Sequence, residues 1–322
     1  MKDRAGRGYG SVPGPFVQDV RALASANPSD PPFVSVVIPV WNDGARLVTC
    51  LEALETQDYP AERMEVIVVD NGSGDGPGNL ETRFPRIRFA QERTPGSYNA
   101  RNRGIQLARG EILAFTDSDC IPAADWIANG VRRLSEMSRI GLLAGSVEVT
   151  PKVAASASLI ELYDIVLAFP QEDYVRKSYF GPSCNLFTAA EVFREVGLFD
   201  GRLNSGGDIE WGRRVFASGR EVAYDPDVQV AHPARESLTE LIRRARRVAA
   251  GMLQVEQARP AKVLSDLLKL TVPHPFFTRR ILTSRKVRGP LRRGLLLGLN
   301  LGLRQVSFWE RLRILLGGRP LR

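Results

Sequence analysis

Runs of branched and apolar residues, each stopping on a polar loop, restrict this fold more than any other feature. FVSVVIPV fills 33–40, MEVIVV fills 64–69 and ILAF fills 112–115. Each is short and suits a buried strand. Residues at helical spacing lie between them: Leu47, Leu51 and Leu54 after the first, and Ala100–Arg109 before the third. Strand–helix–strand alternation predicts an α/β fold, a parallel sheet covered by helices. In such a sheet, ligands bind beyond the carboxyl ends of the strands.

The loops at those ends carry suitable chemistry. Trp41-Asn42-Asp43-Gly44 is a turn, with Asp43 or Gly44 starting the next helix. After the second strand come Asp70, Asn71, Gly72, Ser73 and Gly74. A carboxylate there can accept from ribose hydroxyls or a base, and glycines let backbone approach a ligand. A polar turn with a helix cap is the plainer alternative. The Gly72–Gly78 string does not lead directly into a helical pattern, which argues against a dinucleotide site. Asp117-Ser118-Asp119 follows the third strand. Residues two apart in extended backbone point the same way, so both carboxylates can face one point. Such acids repel unless a cation lies between them, and oxygen ligands suit Mg²⁺ or Mn²⁺ shared with phosphates. A second Asp-x-Asp, Asp225 and Asp227, shows that the pattern alone is not specific. Arg101 and Arg103 lie near a helix start, where the dipole disfavours cations. A diphosphate nearby would account for them, as would simple exposure.

The second half predicts a helix over Ala124–Met137, a strand over Gly141–Val149 and an apolar helix over Ser156–Phe169. Asn185 precedes a strand at 186–188, and Glu191–Val196 is a short helix. Gly206-Gly207 then turns into a helix opening on Asp208 and Glu210, where Asp208 could also be a cap. Short strands at Glu221–Tyr224 and Val228–Val230 lead to His232-Pro233. From Leu238 to Ala258 an apolar stripe is flanked by Arg243, Arg244, Arg246 and Arg247.

The net charge of +8 is uneven: residues 260–322 hold 14 Lys/Arg against 2 Asp/Glu, leaving −4 for the remainder. Such a basic, leucine-rich extension suits an anionic membrane surface, and no nucleic-acid-binding motif accompanies it. The three cysteines, Cys50, Cys120 and Cys184, show neither zinc spacing nor a disulfide framework. No secretory signal or ~18-residue apolar span is visible. Residues 1–32 are a flexible leader with one short helix around Phe16–Ala26.

Taken in order, Pro39-Val40-Trp41-Asn42, Asp70-Asn71-Gly72-Ser73, Gly96 with Ala100-Arg101-Asn102, Asp117-Ser118-Asp119, Asn185, and Gly207-Asp208 with Glu210-Trp211 resemble the family 2 glycosyltransferases of GT-A fold. The likeness covers 33–247. It implies one continuous, mixed but mostly parallel sheet flanked by helices, with a GT-A domain at 33–258 and a basic helical extension at 259–322. It implies a nucleotide-diphosphate sugar bound by Pro39, Trp41, Asn42, Asp70, Asn71, Arg101, Asp117, Ser118 and Asn185. Asp117 and Asp119 would hold Mg²⁺ or Mn²⁺, and Asp208 would be the catalytic base. His232 falls where many GT-A enzymes carry a late metal ligand; a core or surface histidine fits equally. Where the family often has Glu before the base, this chain has Gly207. The Gln/Arg-x-x-Arg-Trp string of processive synthases is absent, so one sugar is added, with inversion, to a glycan or lipid-linked hydroxyl. The expected location is cytoplasmic, peripheral at the inner face of the plasma membrane. Alternatives are a sugar-phosphate nucleotidyltransferase and a non-catalytic membrane- or polyanion-binding module.

Overall fold

A computed structural model describes residues 31–74, 78–137, 139–153, 156–256 and 260–320. Residues 1–30 of the leader, with its expected helix at Phe16–Ala26, lie outside the described residues, as do Asp75, Gly76 and Pro77.

The strands are β1 (Val34–Val40), β2 (Met64–Asp70), β3 (Arg88–Gln91), β4 (Ile112–Thr116), β5 (Ile121–Pro122), β6 (Ile140–Thr150), β7 (Asn185–Ala189) and β8 (Glu221–Pro233). They form one sheet in the order β3-β2-β1-β4-β7-β6-β8-β5. β1 to β4 are parallel, β7 is antiparallel to β4 and β6, and β8 is parallel to β6. Four helices cover the first half: α1 (Gly44–Glu55), α2 (Leu80–Arg83), α3 (Ser97–Leu107) and α4 (Trp126–Glu136). The second half adds α5 (Leu159–Leu167), α6 (Gln171–Ser178), α7 (Ala190–Val196), α8 (Gly207–Ala217) and α9 (Leu238–Glu256). Then come α10 (Pro260–Leu270), α11 (Pro275–Thr283) and α12 (Pro290–Leu315).

The mixed, mostly parallel sheet is the expected fold class. Val40 pairs with Asp70, and Val37 pairs with Phe115. This register brings the carboxyl ends of β2, β1 and β4 side by side, so the loops carrying Asn42, Asp70 and Asp117 share one edge. Beneath them Phe115 meets Phe193 and Phe199 edge-on, both at 5.7 Å, and Phe193 stacks on Trp211 at 4.4 Å. These rings anchor β4 to α7 and α8 over the middle of the sheet.

Three expectations change. The two short strands before His232 are one strand, β8, whose pairing with β6 shifts at Gly145/Ser146. Asp225 and Asp227 lie inside β8, where the Asp225 carboxylate accepts from the Asp227 amide at 2.9 Å. A turn-like signal therefore marked a bulge in a longer strand. α6 was not foreseen, because its QEDYVRKS sequence has little apolar periodicity. The C-terminal helices also pack back on the body. Ile281, Val287, Leu296 and Leu303 share a buried cluster with Leu162, Tyr163, Val166, Leu167 and Leu241. A helix with one apolar stripe can bury it against protein as readily as against lipid.

Candidate active site

Two loops form the floor of the site at the β1–β2 edge. The buried Asp70 carboxylate accepts from the Ser73 amide at 3.1 Å and the Ser73 hydroxyl at 2.5 Å. Asn42 laces the same loop: its amide donates to Ser73 Oγ at 2.8 Å, and its Oδ1 accepts from Gly74 N–H at 3.0 Å. Asn42 has a φ of 50°, left-handed backbone that asparagine tolerates better than most residues. Trp41, next in the chain, is 65% exposed.

The two acids after β4 diverge. Asp117 is bonded by the Arg101 guanidinium, which rises from α3 and is buried. Asp119 Oδ2 instead lies 3.6 Å from His232 Nε2 and 3.6 Å from Arg46 Nη1. Burial raises the Asp119 pKa and the nearby Asp117 charge adds to the rise, while His232 and Arg46 oppose it. Ser118 Oγ donates to Asp43 Oδ2 at 2.9 Å, and Arg46 Nε donates to Asp43 Oδ1 at 2.7 Å. Asp43 therefore does not cap α1 with its side chain; it ties α1 to the acid loop.

Asp208 lies in the first turn of α8. Its Oδ1 accepts from Tyr98 O–H at 3.2 Å and from the Ile209 amide at 3.0 Å. The cap of α8 is Gly206, with φ 81°, so Asp208 is not the cap. Gly207 also has a packing reason: a Cβ there would meet the Tyr98 ring at 2.8 Å. The residue preceding Asp208 is small because a buried tyrosine occupies its space. Burial raises the Asp208 carboxyl, and the Arg101 charge opposes that rise. Arg101 bonds Asp117 and lies 5.6 Å from the Tyr98 ring centroid, so one cation joins the acid loop to the α8 acid.

Three expected contacts fall away from the cleft. Asn185 is wholly buried, accepts from Trp126 Nε1 at 2.8 Å, and donates to the Ser146 and Val228 carbonyls at 2.8 and 2.9 Å. Its amide is used up joining β6, β7 and β8. Asn71 donates to the Glu92 and Thr94 carbonyls, both at 2.9 Å, and accepts from the Gly96 amide at 2.7 Å. Its carboxamide holds the loop before α3. Pro39 is buried within β1 opposite Val69. Both asparagines lie beside site residues in sequence, but their polar groups answer to neighbouring backbone.

Other residues carry the site without having been singled out. Asp43, Arg46 and Tyr98 are described above. Asn102 exchanges bonds with the Phe199 carbonyl at 2.8 Å and the Phe199 amide at 3.1 Å, and Asn99 donates to Gly201 O at 3.0 Å. α3 thereby holds the chain leading to Asp208. The polar string Tyr98-Asn99-x-Arg101-Asn102 was the available signal.

A divalent cation has a plausible seat. His232 Nδ1 is 2.7 Å from the Pro233 carbonyl, which can only accept, so Nδ1 carries the proton. In the neutral ring the Nε2 lone pair would face an Asp119 oxygen, two acceptors that a divalent cation would reconcile. Among the described residues no three metal-ligating side chains gather. The donor set thus fits Mg²⁺ or Mn²⁺ completed by phosphate oxygens, not an all-protein cage. Asp117, engaged by Arg101, is not part of that pair of donors.

Sequence and structure comparisons fit this geometry. The Glycosyl transferase family 2 model matches residues 35–161. Glycosyltransferase AglE of Haloferax volcanii is 37% identical over 229 residues, 70% of this chain and 74% of AglE. The chain belongs to glycosyltransferase family 2. A more distant relative, from Methanococcus voltae, is 21% identical over 225 residues, covering 66% of this chain and 70% of its own. Its name is dolichyl N-acetyl-alpha-D-glucosaminyl phosphate 3-beta-D-2,3-diacetamido-2,3-dideoxy-beta-D-glucuronosyltransferase. In structure, this family 2 glycosyltransferase superposes on the mannosyltransferase PcManGT of Pyrobaculum calidifontis, in complex with GDP-Man and Mn²⁺. The TM-score is 0.61 at 18% identity, over 92% of each chain, which shows the shared GT-A fold. Family membership sets aside the nucleotidyltransferase and non-catalytic readings. Among the described residues no helix is long and apolar enough to cross a membrane.

Proposed function

We propose that this family 2 glycosyltransferase is metal-dependent and moves one sugar, with inversion, from a nucleotide-diphosphate donor to a hydroxyl of a glycan or lipid-linked acceptor. The observation that carries the reading is the Asp208–Tyr98–Arg101–Asp117 chain, which ties a part-buried carboxylate to the acid loop. The donor nucleoside lies along Trp41, Asn42 and Asp70. Asp119 and His232 would hold Mg²⁺ or Mn²⁺, and that cation, when bound, would supply Lewis-acid stabilisation of the leaving diphosphate. Arg101 bonds Asp117 and so offsets the charge it sets beside Asp119. Its charge also favours the ionised form of Asp208, which burial disfavours.

Asp208 takes the proton of the attacking hydroxyl. The Tyr98 hydroxyl and the Ile209 amide both bond Oδ1, and we assign Oδ2 to the acceptor hydroxyl. Burial pushes the Tyr98 phenol up, so it stays a neutral donor and orients the carboxylate. The lipid-linked class of acceptor is supported by the Methanococcus relative's name and by the basic C-terminal helices. Exposed Arg285, Lys286, Arg288 and Arg292 would hold the enzyme on an anionic membrane surface.

Nucleotide sugars screened with Mg²⁺ or Mn²⁺ test the reading through release of nucleoside diphosphate. Release that needs the metal and disappears in Asp208→Asn is expected. Pyrophosphate release, or transfer undiminished in that variant, would overturn it.

A further inference from the structure

Helix α9 crosses the site from the metal end to the base end. Glu240, Arg244, Arg247 and Gly251 recur at spacings of four, three and four, so they share one helix face. At one end, the Glu240 charge reaches Arg46, which faces Asp119. At the other end, a Cβ on Gly251 would meet the Ser205 carbonyl at 2.3 Å. Only glycine lets α9 lie so close to the turn that starts α8 ahead of Asp208. Arg244 and Arg247 lie between these two contacts.

The facing wall is the segment from Ala168 to Tyr174. Arg244 Nη2 donates to the Ala168 carbonyl at 3.1 Å, and the Phe169 ring lies 5.0 Å from the His232 ring. Gln171 is buried, and neither end of its carboxamide has a partner among the described residues. The Tyr174 hydroxyl lies within electrostatic range of Arg244, Asp208 and Arg280. One short stretch thus bonds Arg244, sets a ring beside His232 and brings Tyr174 within electrostatic range of Asp208.

The positive charge there is not matched. Arg235 engages the buried Asp164 at 2.9 Å, and burial together with the charges of Arg244 and Arg247 pushes its pKa down. Glu240, one turn before Arg244, is occupied by the Glu236 and Ser237 amides. Among the described residues no carboxylate lies within 4.0 Å of the charged nitrogens of Arg244 or Arg247. Clustered guanidinium groups beside an unpartnered amide are relieved by an anion, and their fork geometry matches phosphate best.

We propose that Arg244 and Arg247 bind a phosphate carried by a lipid-linked acceptor, placing its sugar hydroxyl at Asp208. The inference rests on the reading of Asp208 as the base. The donor diphosphate has its own partners at the Asp119–His232 end, whereas this phosphate site opens toward Tyr174 and Asp208. Exposed Leu238 and Val248 on α9 offer the lipid an apolar surface.

The test is calorimetry on the full chain with two probes: UDP or GDP with Mn²⁺, and farnesyl phosphate in detergent micelles. Wild type should bind farnesyl phosphate well above farnesol and above inorganic phosphate. Arg247→Gln, at an exposed position, should weaken it several-fold, and Arg244→Gln with Arg247→Gln about tenfold or more. Nucleoside diphosphate affinity should stay within about twofold of wild type in both. An equal loss of nucleoside diphosphate affinity would move the arginines to the donor and overturn the proposal. So would equal affinity for farnesol, or for inorganic phosphate. Failure of wild type to bind either nucleoside diphosphate would instead remove the donor reading, and this inference with it.

Discussion

The sheet core and the C-terminal helical layer hold their functional residues differently. In the sheet, β1, β2, β4 and β7 are buried along almost their whole length, and aromatic rings lock them to α7 and α8. The acids and amides at their ends are fixed by short bonds to neighbouring loops. The helical layer has a thin core of side chains from α5, α9, α11 and α12. Its rim exposes Leu282, Leu291, Leu295 and Trp309. Several of its cations bond carboxylates within the layer, Arg246 and Arg313 sharing Glu310.

Changes on the sheet side should break activity or the whole fold. Asp208→Asn should cut transfer by about 10²–10⁴-fold while nucleoside diphosphate affinity holds, measured by kinetics and calorimetry. The acid limb of the wild-type kcat/KM profile should lie above the ordinary aspartate range, because burial raises this carboxyl. The stability sign follows from linkage. A carboxyl raised in the folded state contributes stability below its unfolded pKa and loses it as pH rises through the folded pKa. Stability of wild type relative to Asp208→Asn should therefore fall with rising pH over that window, as urea midpoints would report.

The next effect separates the two cores. Phe187→Ala, in the fully buried sheet, should cost about 3–5 kcal/mol and weaken nucleotide binding with it. Leu303→Ala, in the helical layer, should cost about 2–3 kcal/mol yet leave metal-dependent nucleotide binding intact. Equal damage to binding would show that the layers do not act separately. Asp119→Ala should weaken Mn²⁺-dependent nucleotide binding about tenfold or more by calorimetry. The smallest effect belongs to the surface. Arg292→Glu should lower binding to vesicles containing anionic lipid by about 1–2 kcal/mol and leave binding to neutral vesicles unchanged.

Much of this was legible in the chain. Buried parallel strands are written as continuous apolar runs, so β1, β2 and β4 and their terminal acids were visible, as was the turn before Asp208. The roles of Asn71 and Asn185 were not. Their amides are used by backbone brought alongside only on folding, and sequence neighbours of a site look the same whether they face it or brace it. The tail's stripe read as a surface for lipid, and only the fold set α5 and α9 beside it.

The sequence by itself determined the alternation that builds the sheet, the carboxylates at its strand ends and the basic end of the chain, because local periodicity and charge are properties of neighbours in the chain. Tertiary structure alone decided that Asp117 answers to Arg101 while Asp119 answers to His232, and that Tyr98 fills the space beside Gly207. It alone drew α9 across the cleft. Those outcomes depend on groups far apart in sequence competing for one bond or one volume, and that competition exists only once the chain has folded.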